Sequence, residues 1–136
     1  QEAGLMVRLV TVARTIAQVV GSTSDVTIDR QHQRVEIGGT WITPAWQRSP
    51  INTEAKYLQL WHAFETLGCI RVELKTDALN TTSRQALARI GATEEGTFRN
   101  HMIMPGGRIR HGVYGSVTDN EWPRVKAHLR IECRAD

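Results

Sequence analysis

The sequence predicts an α+β fold with the element order βββ-α-β-α-ββ-α, a mixed, mostly antiparallel sheet flanked by helices. Three observations carry it. Residues 5–43 are rich in Val, Ile, Thr and Trp with two polar breaks, residues 52–67 switch to helical spacing of apolar side chains, and short β-rich runs then alternate with segments that glycine closes. A chain of 136 residues suits one domain and one core, so residues 1–136 are expected to form a single domain.

Residues 5–13, 16–28 and 34–43 read as a three-stranded antiparallel meander, divided at Ala13-Arg14 and at Asp29-Arg30-Gln31-His32-Gln33. In the third strand Val35, Ile37 and Trp41 alternate with Glu36, Gly38, Thr40 and Ile42, so one face is core and the other mixed. The helix over 52–67 has a polar stripe of Lys56, Gln59, His62 and Thr66, with Leu58, Leu60, Trp61, Phe64 and Leu67 opposite. Gly68 ends it as a C′ glycine. A β-run over 70–76 leads through a turn at 77–80 into a second helix closed by Gly91. Residues 96–104 and 108–117 form two strands joined at Pro105-Gly106-Gly107. Thr118 and Glu121 have capping-box spacing, with Pro123 in the first turn of a helix that runs to about Arg130.

Seventeen Lys and Arg against 14 Asp and Glu give a formal charge of +3, with the basic residues scattered. Without a basic run or an exposed aromatic pair on a strand, no nucleic-acid partner is expected, and the balance suits an anionic ligand equally well. Cys69 and Cys133 are the only cysteines, which fits a reducing cytoplasm. No apolar stretch approaches the ~20 residues that cross a bilayer, and residues 1–24 carry polar side chains every few positions, so a soluble chain with no membrane partner is expected. His32, His62, His101, His111 and His128 have no i, i+4 pairing and no partnering Cys or Asp cluster, so no metal is implied.

Several runs go further: Gln47-Arg48-Ser49-Pro50-Ile51-Asn52, Asn52-Thr53-Glu54-Ala55-Lys56, Arg71-Val72-Glu73-Leu74-Lys75-Thr76-Asp77, Asn80-Thr81-Thr82-Ser83-Arg84, Ala86-Leu87-Ala88-Arg89-Ile90-Gly91-Ala92 and Glu95-Gly96-Thr97-Phe98-Arg99. Together they resemble the GNAT superfamily of N-acetyltransferases, and within it the RimJ/RimL-like branch, which acetylates amino groups of proteins and small molecules. The resemblance implies acetyl-CoA (coenzyme A) as the acetyl donor and a primary amine as acceptor, on a protein N-terminus, a peptide or a small molecule. Family members begin with a further strand and one or two helices that wall the acceptor site. This chain corresponds to the family from about its second strand, and uncovered apolar sheet would favour a homodimer, conceivably a swapped one.

A helix N-terminus offers free N–H groups and partial positive charge, so Gln47, Arg48, Ser49, Ile51, Asn52 and Thr53 are the expected ligands of the cofactor pyrophosphate, in the family's manner. The plain alternative is a capped helix, with Ser49 as N-cap and Pro50 at N1. Pro50 stands where the family has Gly and removes one amide donor, at about 1.5–3 kcal/mol if nothing replaces it. Asn80 caps the next helix, hydrogen-bonds the pantetheine arm, or does both. Backbone N–H groups at Trp41 and Ile42 resemble the family's oxyanion donor. Glu36 is the candidate base, against a surface carboxylate paired with a neighbouring Arg. Leu87 occupies the place of the acid Tyr of many members, and Ser83 resembles the residue that approaches the sulfur in this branch, against a neutral helix-surface role. Tyr114 is another possible donor, or core, and Ala86, Leu87 and Ile90 read as core. His111 stands where the branch commonly shows Asp. Two functions remain open: an active acetyltransferase, and a degenerate module that binds coenzyme A or a protein partner without turnover.

Overall fold

The computed structural model describes residues 5–13, 18–38, 40–42 and 51–134, with side chains over 27–38 and 53–132. The strands are β1 (Leu5–Ala13), β2 (Gln18–Asp29), β3 (Arg34–Ile37), β4 (Thr40–Ile42), β5 (Arg71–Asp77), β6 (Thr93–Ile103) and β7 (Ile109–Thr118). The helices are α1 (Ile51–Trp61), continued by a π-turn over His62–Thr66, α2 (Thr81–Arg89) and α3 (Trp122–Arg134). The strands make one seven-stranded sheet in the order β1-β2-β3-β5-β7-β6, with β4 on β2. This is the α+β element order the sequence predicts.

The third strand of the meander is shorter than expected, because residues 34–43 divide into β3 and β4. Both halves lie on β2 in a single register, Thr27↔Glu36 for one and Ser22↔Trp41 for the other. The chain therefore does not slip on β2. Gly38 follows the end of β3, and a Cβ on it would meet Lys75 Cε at 3.2 Å. Asp29 shapes the turn before β3 by accepting the His32 N–H at 3.2 Å and pairing with Arg34 at 3.3 Å.

β3 and β5 run parallel, Val35 opposite Val72, which requires the crossover that α1 supplies. Their buried residues Val35, Ile37, Val72 and Leu74 meet Leu60 and Ala63 from the α1 segment and Trp122, Val125 and Leu129 from α3. The α3 residues recur at helical spacing, as one buried stripe demands. Trp122 stacks on Phe64 at 5.3 Å, and its Nε1–H donates to Glu65 at 2.8 Å. The π-turn, with Leu67 N–H on the His62 carbonyl, brings Phe64 and Glu65 to that indole together.

The face of α1 toward the core is only partly the predicted one, which Leu60 and Phe64 fulfil. Thr53, Lys56, Leu60 and Ala63 are buried, while Leu58, Trp61 and Leu67 are exposed. Apolar residues flank both sides of this helix, so its own pattern leaves the choice open, and packing against β5 and α3 makes it. A lysine satisfies the buried position because its methylene stem fills apolar space. Lys56 is only 6% exposed, with Gln59 Oε1 3.3 Å from its Nζ, and burial lowers its pKa to about 8.

Most remaining signals hold, although β6 begins at Thr93 rather than at 96, α3 runs on to Arg134 and Ala86 is not among the core residues. Gly91, at φ +94, closes α2, and a Cβ there would press on Val125 Cγ2 at 3.3 Å. Met104 to Gly107 form a turn closed at 2.9 Å, with Pro105 then Gly106 at φ +91, the chemistry of a type II turn. Glu121 accepts the Thr118 N–H at 3.0 Å, half of the expected capping box. Ile90 is core and Leu87 packs against it. No described helix is long and apolar enough to cross a membrane.

Burial of Lys56 fixes a pH dependence. Its folded-state pKa, about 8, lies below the ordinary 10.5, so the stability tied to the neutral amine is present above pH 10.5 and lost as pH falls through 8. The difference is on the order of 3 kcal/mol. Urea titrations from pH 7.5 to 10.5 should show the wild type gaining stability over this window relative to Lys56→Met, and parallel curves for the two would remove the assignment.

Candidate functional site

The parallel pairing of β3 with β5 ends at Ile37↔Leu74. Beyond it β4 pairs with β2, while β5 continues against β7 from Lys75↔Tyr114 to Asp77↔Gly112. The two central strands thus separate and leave a gap in the sheet. Ala78 N–H donates to the His111 carbonyl, which fixes the alternation on β5: even-numbered residues face β7, and odd-numbered ones turn their backbone groups toward the β4 side. Asp77 lies past the end of β3; its carbonyl accepts the Asn80 N–H at 2.9 Å, so it is its backbone N–H that is turned toward the gap.

Two helix N-termini belong to this neighbourhood. α1 begins at Ile51, so the backbone N–H groups of Ile51, Asn52, Thr53 and Glu54 open it. Gln47, Arg48, Ser49 and Pro50 lie outside the described residues, as do the side chains of Ile51, Asn52, Trp41 and Ile42. Trp41 and Ile42 belong to β4 by backbone, and Thr53 is buried at the base of α1. At the far end of β5, Asn80 is the N-cap of α2, its Oδ1 accepting the Ser83 N–H at 3.0 Å. The cap uses the side-chain oxygen, which leaves the amide NH2 group of an exposed residue beside the gap. Ser83 is half-buried one turn into the helix.

One face of the sheet is polar. Along β5 the odd-numbered Arg71, Glu73, Lys75 and Asp77 are half-buried on it, while Val72, Leu74 and Thr76 are buried on the other. Glu36, on β3, pairs with Lys75 at 2.8 Å. Its partner is thus a lysine on the parallel neighbour rather than the arginine considered from sequence. Arg71 grips Glu95 with both terminal nitrogens, at 2.8 and 3.0 Å, and reaches Glu73 at 2.9 Å through Nε. Ser116 donates to Glu95 at 2.7 Å, and these two partners lower the Glu95 pKa to about 2. Asp77 takes Arg108 and the Leu79 N–H, which hold its carboxyl below the usual range.

Tyr114 stands opposite Lys75 on this face and packs against Phe98 and His101, not in the core that was its alternative role. Burial first, then the charge of Glu36, pushes its hydroxyl above the usual phenol value, so it stays protonated at neutral pH. Arg110 Nε is buried with no partner among the described residues, and its charge acts on both Tyr114 and Asp77.

Glu36 and the Asn80–Ser83 pair therefore flank the gap, although Glu36 engages Lys75 and not Ser83. Lys75, Phe98 and His101 had no role in the sequence reading. Lys75 was legible: Arg71-Val72-Glu73-Leu74-Lys75-Thr76-Asp77 alternates charged and apolar residues, the mark of a strand with one polar face. The ring cluster was not, since strand pairing alone brings it together.

Three kinds of likeness accompany this geometry. A family model described as an acetyltransferase (GNAT) domain matches residues 1–93. YdaF of Bacillus subtilis (strain 168), a ribosomal N-acetyltransferase by name, is 33% identical over 100 residues, 73% of this chain and 53% of that protein. The crystal structure of a GCN5-related N-acetyltransferase from Brucella melitensis has a TM-score of 0.90 at 32% identity, covering 96% of this chain and 58% of its own. RimJ of Mycobacterium smegmatis, solved in complex with CoA-disulfide, has a TM-score of 0.72 at 27% identity, covering 85% of this chain and 55% of its own. The chain spans little more than half the length of each.

The Asn80 cap is testable by itself. Asn80→Ala should lower the unfolding free energy by about 1 kcal/mol, and Asn80→Asp, which keeps an acceptor, by much less. Equal losses in chemical denaturation would show that the cap contributes nothing.

Proposed function

The chain belongs to the acetyltransferase (GNAT) domain family, and on that premise we propose that it is an acetyl-CoA-dependent N-acetyltransferase acting on a primary amine of a protein N-terminus, a peptide or a small molecule. The observation that carries this reading is the separation of β4 from β5 beyond Ile37 and Leu74, beside the Asn80 cap. A gap lined by backbone groups fits an amide-rich arm, which can pair with a strand edge as another strand would. The N-terminus of α1 fits a pyrophosphate.

Bound acetyl-CoA would supply an activated acetyl group as a thioester. Gln47, Arg48, Ser49, Ile51, Asn52 and Thr53 would hold its phosphates, and the Asn80 amide its pantetheine arm. The N–H groups of Trp41 and Ile42 would stabilise the carbonyl oxygen as it gains charge. Glu36, with Lys75 as its charge partner, would take the proton the amine loses as its nitrogen bonds to the acetyl carbon and the C–S bond breaks. The thiolate would be protonated from Ser83 or from Tyr114, a phenol being the more acidic hydroxyl of the two although burial raises its pKa.

A second reading, a module that binds coenzyme A or a protein without turnover, is favoured by two observations. Glu36 is already held at 2.8 Å by Lys75, and Leu87 packs against the core at the place of the family's acid. In either case the free, buried thiol of Cys69 supports a reducing compartment such as the cytoplasm, and the exposed Leu58 and Trp61 on α1 support a homodimer.

Calorimetry should give saturable acetyl-CoA binding that Asn80→Asp weakens while leaving the fold stable, and no heat at millimolar ligand would remove the transferase and the coenzyme A-binding module alike. Thiol release over a panel of amines then separates them. Glu36→Gln should lower kcat on the order of 100-fold, and silence of the wild type with every amine would leave the binding module. Light scattering at micromolar concentration should give twice the chain mass, and a monomer mass would exclude the dimer.

A further inference from the structure

β6 departs from regular pairing at two places, between Glu94 and Gly96 and, more widely, between Phe98 and Met102. Phe98 pairs with Gly112 and Met102 with Arg110, so Arg99, Asn100 and His101 together stand opposite His111 alone. Asn100 takes a left-handed conformation, φ +51, and donates its N–H to His111 Nδ1 at 2.8 Å. In an uninterrupted strand, residues three apart point to opposite faces. The bulge cancels that rule, and His101 lands beside Phe98 and Tyr114 with ring centroids 5.2 and 5.8 Å away and edge-on geometry to both. Phe98 and Tyr114 are themselves 4.9 Å apart. The floor beneath is glycine by necessity, since a Cβ on Gly112 would lie 2.9 Å from His101 Nδ1. Three features of two strands thus produce one ring cluster: an inserted bulge, the His111 acceptor that holds it and a glycine that leaves room.

The cluster adjoins the gap. Tyr114 pairs in register with Lys75, whose ammonium holds Glu36 on the next strand, so it lies two strand spacings of about 4.8 Å each from the proposed base. Around it Glu36 pairs with Lys75 and Asp77 with Arg108, Glu73 and Glu95 share Arg71, and Arg110, whose Nε has no partner among the described residues, adds a positive charge that reaches Tyr114. With each of these carboxylates engaged by a cation, none is left over to select a second one. What remains selective is apolar surface, above all Phe98, 53% exposed.

We propose that Phe98, His101 and Tyr114 form an acceptor subsite that takes the apolar or aromatic group carried next to the acceptor amine, with His111 as the positioning residue that holds the bulge. The acceptor class is then an arylalkylamine or an amino-terminal residue with a large apolar side chain. The subsite rests on the acetyl-transfer reading, because it assigns one end of the acceptor to the rings and the other to Glu36.

The test compares phenethylamine with ethylamine, by calorimetry with and without acetyl-CoA and by the KM of each amine. Phenethylamine should bind the wild type on the order of tenfold tighter. Phe98→Ala and His111→Leu should each abolish that preference while leaving the KM for acetyl-CoA unchanged. His111→Asn, whose side-chain oxygen takes the place of Nδ1, should restore it, which a merely structural loss at this position would not allow. Melting temperatures accompany each variant, and phenethylamine should shift the Phe98 and Tyr114 ring resonances in the wild type whether or not turnover occurs. Equal affinity for the two amines, or a preference that survives Phe98→Ala, overturns the subsite. Absent acetyl-CoA binding with an intact phenethylamine preference would instead overturn the transfer reading alone.

Discussion

The parallel ladder between β3 and β5 covers Arg34–Ile37 against Arg71–Leu74 and then stops. A parallel pair normally continues as far as both strands do, because each further residue pairs polar groups that must otherwise find water or a ligand. Here β3 ends at Ile37, and Thr40–Ile42 continue the same register on β2 while β5 continues against β7. Gly38, just past the end of the ladder, lies against the stem of Lys75, whose ammonium pairs with Glu36. The end of the ladder and its carboxylate are thus neighbours.

The helices hold the gap beyond the ladder in place. α1 crosses from β4 to β5, and α3 locks its far end through the Trp122 indole, which Phe64 stacks on and Glu65 accepts a hydrogen bond from. Lys126 reaches the same carboxylate at 2.7 Å. A helix fixed this firmly at its C-terminal end has little freedom to turn its N-terminus elsewhere. It also tolerates a cost: buried Lys56 is a desolvated cation that an isolated amphipathic helix would turn to water.

The polar face of the sheet is organised by cross-strand pairing. Arg71, Glu73, Glu95 and Ser116 come from three strands and satisfy one another, as do Glu36 and Lys75. Each of these carboxylates is thereby held by a cation, and Arg110 adds its charge beside Tyr114 and Asp77. Against this face the Phe98, His101 and Tyr114 rings form an apolar island, because the bulge at Asn100 turns one more ring toward them than a regular strand would.

The sequence by itself determined the element order, the caps and the turns. Asn80, Gly91, Pro105-Gly106 and the Thr118–Glu121 pair act through hydrogen bonds and dihedral preferences within a few residues, so local chemistry suffices to read them. The alternation in β5 was equally legible, and it names the residues of the polar face. Tertiary structure decided which stripe of α1 is buried, because apolar residues flank that helix on both sides and only the strands and α3 distinguish them. It decided where the third strand leaves its parallel neighbour, since the ladder of β3 on β5 ends at Ile37↔Leu74 although the run of β-forming residues goes on. It also decided the partner of Glu36 and the meeting of Phe98, His101 and Tyr114. Both depend on register between strands, which long-range packing sets and no short run of residues encodes.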